Sequence, residues 1–81
     1  MSDEIRLHDV VVLTGDIPTR HFESGRPITL RRGQVGTVVM TLAPRVFEVE
    51  FADKEGRPYA MLPVAADKLI VLRDEPEVAA A

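Results

Sequence analysis

The stretch that most constrains this chain is residues 31–42, which read RRGQVGTVVMTL. A basic turn marked by two glycines opens directly into a run of β-branched residues. Glycine reaches backbone angles that other residues avoid, whereas Val and Thr lose little by being extended. We therefore predict a turn at Gly33 and Gly36 that feeds the central strand, residues 34–42, of a small barrel.

Further strands are predicted on both sides of the central one. The most regular is residues 46–51 (VFEVEF), where apolar residues alternate with glutamates as in a half-buried antiparallel strand. Three more strands are expected over residues 8–13, 58–62 and 68–72. Gly56 is placed in a hairpin turn that needs positive φ, and residues 64–67 are predicted to form one helical turn.

The connection between the first strand and the central one, residues 16–33, shows no periodicity. A connection of this length is uncommon in a compact domain unless it is functional or mobile. Five strands, a long first loop and a helical turn before the last strand indicate an all-β, SH3-like barrel. The predicted organisation is one domain over residues 8–73, with a flexible N-terminus at 1–7 and a disordered tail at 74–81.

Composition narrows the function classes. The 81 residues include no cysteine, which excludes disulfides and thiolate metal sites. The net charge of −3 argues against a dedicated nucleic-acid binder, although residues 20–32 carry four arginines and a single glutamate. No apolar run is long enough to span a bilayer and the acidic start lacks a signal core, so a cytoplasmic location is expected.

Several segments together resemble a known family: DVVVL at 9–13, IP at 17–18, GQVGTVV at 33–39 and FEVEF at 47–51. The chain is similar, over residues 8–72, to a family of small bacterial proteins classed only as a domain of unknown function. It departs from their pattern at residues 21–30, where the first loop is longer. The resemblance implies an SH3-like fold and no assigned reaction. It also suggests that the chain is a companion of a larger protein. That larger protein could be a toxin, which the companion would neutralise.

Two fainter likenesses are at the level of fold. Thr19-Arg20 followed by the turn at residues 31–36 is similar to the barrel domain of the nitrile hydratase β subunit. The basic glycine turn before a Gly-x-Val strand also resembles KOW-motif domains of ribosomal and transcription-elongation proteins. Shared folds carry many functions, so neither likeness assigns one.

The residues supply little for catalysis. A nucleophile would have to be Ser2, Ser24 or a threonine, activated by His8 or His21. Neither histidine has a carboxylate neighbour at a familiar metal-ligand spacing. The expectation is a protein that is not an enzyme and holds no metal or cofactor.

The long first loop is the predicted binding surface, because loops at one end of a barrel commonly carry recognition. Phe22 would be an apolar anchor with arginines as donors, the residue types enriched at interface centres. The alternative is that Phe22 and Ile28 fold back and plug the mouth of the barrel. The partner-binding residues predicted are Arg20, His21, Phe22, Arg26, Ile28, Arg31 and Arg32.

The function expected from these features is a non-catalytic companion of another protein, such as an immunity or antitoxin protein or an accessory enzyme subunit. The rival is a KOW-like nucleic-acid contact, in which the four arginines follow phosphates and Phe22 or Tyr59 stacks on bases. Either a monomer or a homodimer is compatible with the sequence.

Overall fold

The computed structural model describes residues 4–79, which form seven strands and one 3-10 turn. The strands are β1 (Val10–Leu13), β2 (Ile17–Arg20), β3 (Pro27–Leu30), β4 (Val35–Ala43), β5 (Val46–Ala52), β6 (Pro58–Ala65) and β7 (Leu69–Val71). The 3-10 turn, Ala66–Lys68, precedes β7. Residues 1–3 of the predicted flexible N-terminus and residues 80–81 of the predicted tail lie outside the described residues.

Five strands form one antiparallel sheet in the order β6-β5-β4-β1-β7, and β2 pairs with β3. The nine-residue β4 pairs with β1 through its first half and with β5 along most of its length. Register shifts between Val38 and Met40 and between Thr41 and Ala43 bend it, as β-bulges do. The predicted all-β, SH3-like architecture is confirmed. Within residues 4–79, however, β6 and β7 are not paired, so the barrel keeps an open seam.

The core follows the alternation of the strands. Phe47, Val49 and Phe51 of β5 point inward and are buried, whereas the glutamates between them lie on the outer face. Val11 and Leu13 of β1 oppose Gly36 and Leu69 and close the interior from the other side. The buried cluster is Ile5, Val11, Leu13, Leu30, Val38, Phe47, Val49, Phe51, Ala60, Val64, Ala66 and Leu69. Ile5 thus packs on the barrel although it falls in the segment predicted to be a flexible N-terminus.

The two glycines of the central stretch have different roles. Gly33 lies in the turn before β4 with φ of 96°, a conformation that favours glycine, and Gly56 has φ of 82° in the β5–β6 turn. Gly36 was predicted to lie in the turn, but the structure places it inside β4. A Cβ there would lie 2.7 Å from Val49 Cγ1 and 2.9 Å from the Phe51 ring. Glycine is required at position 36 for space rather than for backbone angle.

The connection between β1 and β4 is structured, which corrects the prediction of an aperiodic loop. It folds into the β2–β3 hairpin, in register from Ile17↔Leu30 to Arg20↔Pro27. Pro18 lies within β2 and Pro27 within β3, because a two-stranded ribbon has open edges on which a proline leaves no donor unpaired. The strand predicted at residues 58–62 extends to Ala65, and Pro63 is tolerated there because β6 is an end strand of the five-stranded sheet.

Candidate functional site

The tip of the β2–β3 hairpin, residues 21–26, is closed by its own backbone. His21 donates its N–H to the Arg26 carbonyl at 2.8 Å, and Gly25 donates to the His21 carbonyl at 3.0 Å. Gly25 has φ of 74°, the positive value that a tight turn demands. The His21 side chain turns inward to the tip, where its Nδ1 accepts the N–H groups of Glu23 and Ser24 at 3.1 and 3.4 Å. His21, predicted as a partner contact, thus orders the tip.

The tip is fixed to the barrel at the start of β6. Phe22 donates its N–H to the Tyr59 carbonyl at 2.8 Å. The Tyr59 hydroxyl accepts a hydrogen bond from Gln34 Nε2 at 2.7 Å. The centroid of the Tyr59 ring lies 6.5 Å from that of the Phe51 ring. Tyr59 therefore ties the hairpin tip, the turn before β4 and the core together. This role of Tyr59 and Gln34 is not predictable from the sequence, because their partners lie far away along the chain.

The structure separates the two apolar residues that were expected to act together. The Phe22 side chain is 55% exposed at the tip. Ile28 is partly buried and packs against the core from β3. The alternative in which both plug the barrel mouth therefore holds for Ile28 and not for Phe22.

The four arginines divide between the two ends of the hairpin. At the tip, Arg20 Nη1 donates to the Gly25 carbonyl at 3.0 Å. At the base, Arg31 Nε lies 3.5 Å from Asp16 Oδ2 in a solvent-exposed ion pair. Within residues 4–79 the guanidinium groups of Arg26 and Arg32 form neither hydrogen bonds nor ion pairs. Of the four hairpin arginines, Arg26 and Arg32 are therefore the two that keep their full donor capacity for a partner among residues 4–79.

Asp16 is the residue that organises the hairpin base. Its Oδ1 accepts the backbone N–H of Arg32 at 2.7 Å, while Oδ2 faces Arg31. The Arg32 hydrogen bond, reinforced by the positive charge of Arg31, holds the pKa of the Asp16 carboxyl below its usual value of 3.8. Arg31 donates its N–H to Gln34 Oε1 at 2.6 Å, which links the base to the Tyr59 junction.

A second exposed surface was missed by the sequence analysis. Val35, Val12 and Ile70 lie side by side across β4, β1 and β7, with Val10 and Leu72 in the next row. All except the half-buried Val12 are more than 40% exposed, Ile70 most of all at 56%. The sequence did carry the signal: a strand of consecutive apolar residues has an apolar outer face, which here stays uncovered.

The described part of the chain offers no cluster of side chains for holding a metal ion. In residues 4–79 no three His, Asp or Glu side chains come together in a geometry for a cation. His8 and Asp9 lie just before β1, which begins at Val10 rather than at the predicted residue 8, and His8 takes φ of 72°. The same residues contain no helix long and apolar enough to cross a membrane.

Comparison with known proteins assigns the chain to a family. The family model described as a domain of unknown function (DUF4926) matches residues 7–71, which span every strand of the fold. Neither the curated proteins nor the solved structures contain a significant match to the chain.

Proposed function

Because this chain belongs to the DUF4926 family, whose function is unknown, we propose a role from its own surface: a non-catalytic module that binds another protein. The contact surface is the hairpin tip, with Phe22 as the anchor and Arg26 beside it. The observation that carries the proposal is that Phe22 is exposed on a backbone already hydrogen-bonded to β6.

A fixed tip favours binding because little conformational freedom is lost when the partner arrives. Aromatic and arginine side chains are enriched at the energetic centres of interfaces. Arg26 and Arg32, whose guanidinium groups have no partner within residues 4–79, complement carboxylates on the other protein. The partner that fits is a folded protein with an apolar pocket for Phe22 and an acidic rim.

The biological form of this proposal is a companion protein. The resemblance to small stand-alone family members motivates two versions, an immunity or antitoxin protein and an accessory subunit of an enzyme. Both place the encounter in the cytoplasm, in keeping with a chain that uses no cysteine. A toxin-like or an enzyme-subunit gene beside this one would favour the first or the second version.

Nucleic acid is the weaker candidate. A phosphate-tracking surface needs several free cations in a row, but Arg20 is bound to the hairpin backbone and Arg31 is paired with Asp16. The net charge of −3 opposes non-specific binding as well.

The test is retention of partners from a lysate of the source organism on the full chain, using point substitutions at the tip. Replacing residues 21–30 would also delete Leu30, which is 1% exposed in the core. The informative variant is Phe22→Ala with Arg26→Ala. Leu42→Ala is its matched control, because Leu42 is 45% exposed in β4 at the other end of the barrel.

The expected result is a protein retained by the wild type and the Leu42→Ala control, lost by the tip variant and unaffected by nuclease. Loss of two hot-spot contacts weakens binding by roughly 2–4 kcal/mol, about 30-fold or more. A partner retained equally by the tip variant would refute the assignment of the surface. A partner lost on nuclease treatment would favour nucleic acid instead.

A further inference from the structure

A groove runs along the edge of β7, on the open seam of the barrel. Its larger part is a cavity of about 390 Å³ and the adjoining part has about 300 Å³. Val71 and Arg73 line both parts, so the two are continuous. We call this feature the β7 groove, whose other principal lining residues are Ile5, Arg45, Ala66 and Leu69 in the larger part.

The groove exposes unpaired backbone. Thr14 donates to the Lys68 carbonyl and Leu72 donates to the Val10 carbonyl, so the even-numbered residues of β7 face β1. Antiparallel ladders alternate, and the backbone groups of Leu69 and Val71 therefore point to the opposite edge. The Leu69 N–H is bonded to the Ala66 carbonyl. Val71 keeps a donor and an acceptor on an edge that no strand within residues 4–79 covers.

The chemistry of the groove selects its occupant. Ile5, Ala66 and Leu69 are buried residues that give it an apolar floor. In the larger part Arg45 and Arg73 add two positive charges and none of the lining residues is acidic, whereas the smaller part is lined by Arg6 together with Glu4 and Asp9. An extended segment that adds a strand to such an edge uses main-chain hydrogen bonds for affinity and side-chain pockets for specificity. The segment that fits carries an apolar side chain among carboxylates.

The tail of the chain has this composition. Asp74, Glu75 and Glu77 precede Val78, which is 91% exposed. Residues 74–79 of the tail are all exposed, and the radius of gyration of the chain is 13.7 Å against about 12 Å for a compact domain of this length. It leaves β7 at the end of the groove, and none of residues 74–79 lines either cavity of its own chain.

We propose that the β7 groove is filled by a second copy of this chain. The two β7 strands pair along their free edges about a twofold axis, and the acidic tail of each copy lies across the groove of the other. One contact thus occurs twice, as in an isologous dimer. The hairpin tip stays accessible, because it is anchored at the start of β6, whereas the groove lies at the other end of that strand. There the carbonyl of Arg45, which lines the groove, accepts the Ala66 N–H just beyond the end of β6.

Two charge-reversal variants of the full chain test this arrangement. The groove variant is Arg45→Glu with Arg73→Glu, and the tail variant is Glu75→Lys with Glu77→Lys. In a homodimer of either variant, both groove–tail contacts bring like charges together and become repulsive. In a mixed dimer, the reversed groove of one copy faces the reversed tail of the other, and the native groove faces the native tail, so both contacts are attractive. Lys54→Glu, in the β5–β6 turn away from the groove, is the matched control.

Sedimentation equilibrium and circular dichroism give the readout. We expect a wild-type dimer, a dissociation constant raised at least about tenfold in each variant, an unchanged control and a heterodimer in the equimolar mixture. The Val71 amide should exchange more slowly as the protein concentration rises. A wild type that stays monomeric, a dimer indifferent to both reversals, or folded variants that do not combine would each overturn the proposal.

Discussion

At the scale of single residues, Gly36 shows how little freedom the interior leaves. Val49 and Phe51 occupy the space that a side chain at position 36 would need, because a Cβ there would lie 2.7 Å from Val49 Cγ1. Both neighbours are fully buried and have nowhere to move. We expect Gly36→Ala to lower the free energy of unfolding by about 1–3 kcal/mol, the usual penalty for overpacking.

Gly15 supplies the control for this substitution. No heavy atom would lie within 4 Å of a Cβ at position 15, and its φ is not in the left-handed region. Gly15→Ala should leave stability unchanged or raise it slightly, since alanine restricts the unfolded chain. Urea denaturation of the two variants and the wild type measures the difference. Equal losses in both would contradict the steric explanation.

Asp16 provides a prediction on acid stability. The pKa of its carboxyl is lowered in the folded chain, chiefly by the Arg32 N–H and further by Arg31. The stabilisation from a lowered pKa is complete above the unfolded value of 3.8 and disappears as pH falls through the folded value. The free energy of unfolding should therefore decline below about pH 4 more steeply in the wild type than in Asp16→Asn.

Asparagine is the informative replacement because its side-chain oxygen still accepts the Arg32 N–H while the charge is removed. Unfolding midpoints from pH 2 to pH 7 (about the range in which carboxyls titrate) compare the two proteins. If the two curves run parallel through the acid range, the ion pair and hydrogen bond of Asp16 make no pH-dependent contribution.

At the scale of elements, the strands that the sequence predicts well are the long ones, β4 from its run of β-branched residues and β5 from its strict alternation. VFEVEF alone defines β5, since one face is apolar and the other carries glutamates. The β2–β3 hairpin escapes prediction because each strand has four residues and includes a proline. Ile28 and Leu30 nevertheless alternate with exposed neighbours, which is the trace of a half-buried strand. Local pattern identifies long strands, whereas short ones are decided by what they pack against.

The candidate site follows the same division. The sequence places Phe22 and four arginines in one connection, but it does not show that the arginines divide between the two ends of a hairpin or that Arg31 pairs with Asp16 at its base. Contacts such as Phe22 to Tyr59 join residues far apart in sequence, and no periodicity records them. The β7 groove is equally invisible in the sequence, because it arises from a pairing that β6 and β7 do not make.

At the scale of the whole molecule, the hairpin and the sheet form one cooperative unit. Leu30 of β3 belongs to the same buried cluster as Val11 of β1 and Phe51 of β5. The hairpin cannot detach without exposing Leu30 and breaking the hydrogen bond from the Phe22 N–H to the Tyr59 carbonyl. We therefore expect a single two-state unfolding transition, as is usual for small domains, rather than early loss of the hairpin.

The chain reports on this cooperativity through its one tyrosine, since it has no tryptophan. Tyr59 sits where the hairpin meets the barrel, so its fluorescence follows the junction, while far-UV circular dichroism follows the sheet as a whole. Both signals should change with one urea midpoint and a slope near 1 kcal/mol/M, about the value for so small a domain. A tyrosine transition at clearly lower urea would mean that the hairpin opens first. The tip would then be ordered only by its partner, and the advantage argued for a pre-formed Phe22 anchor would be lost.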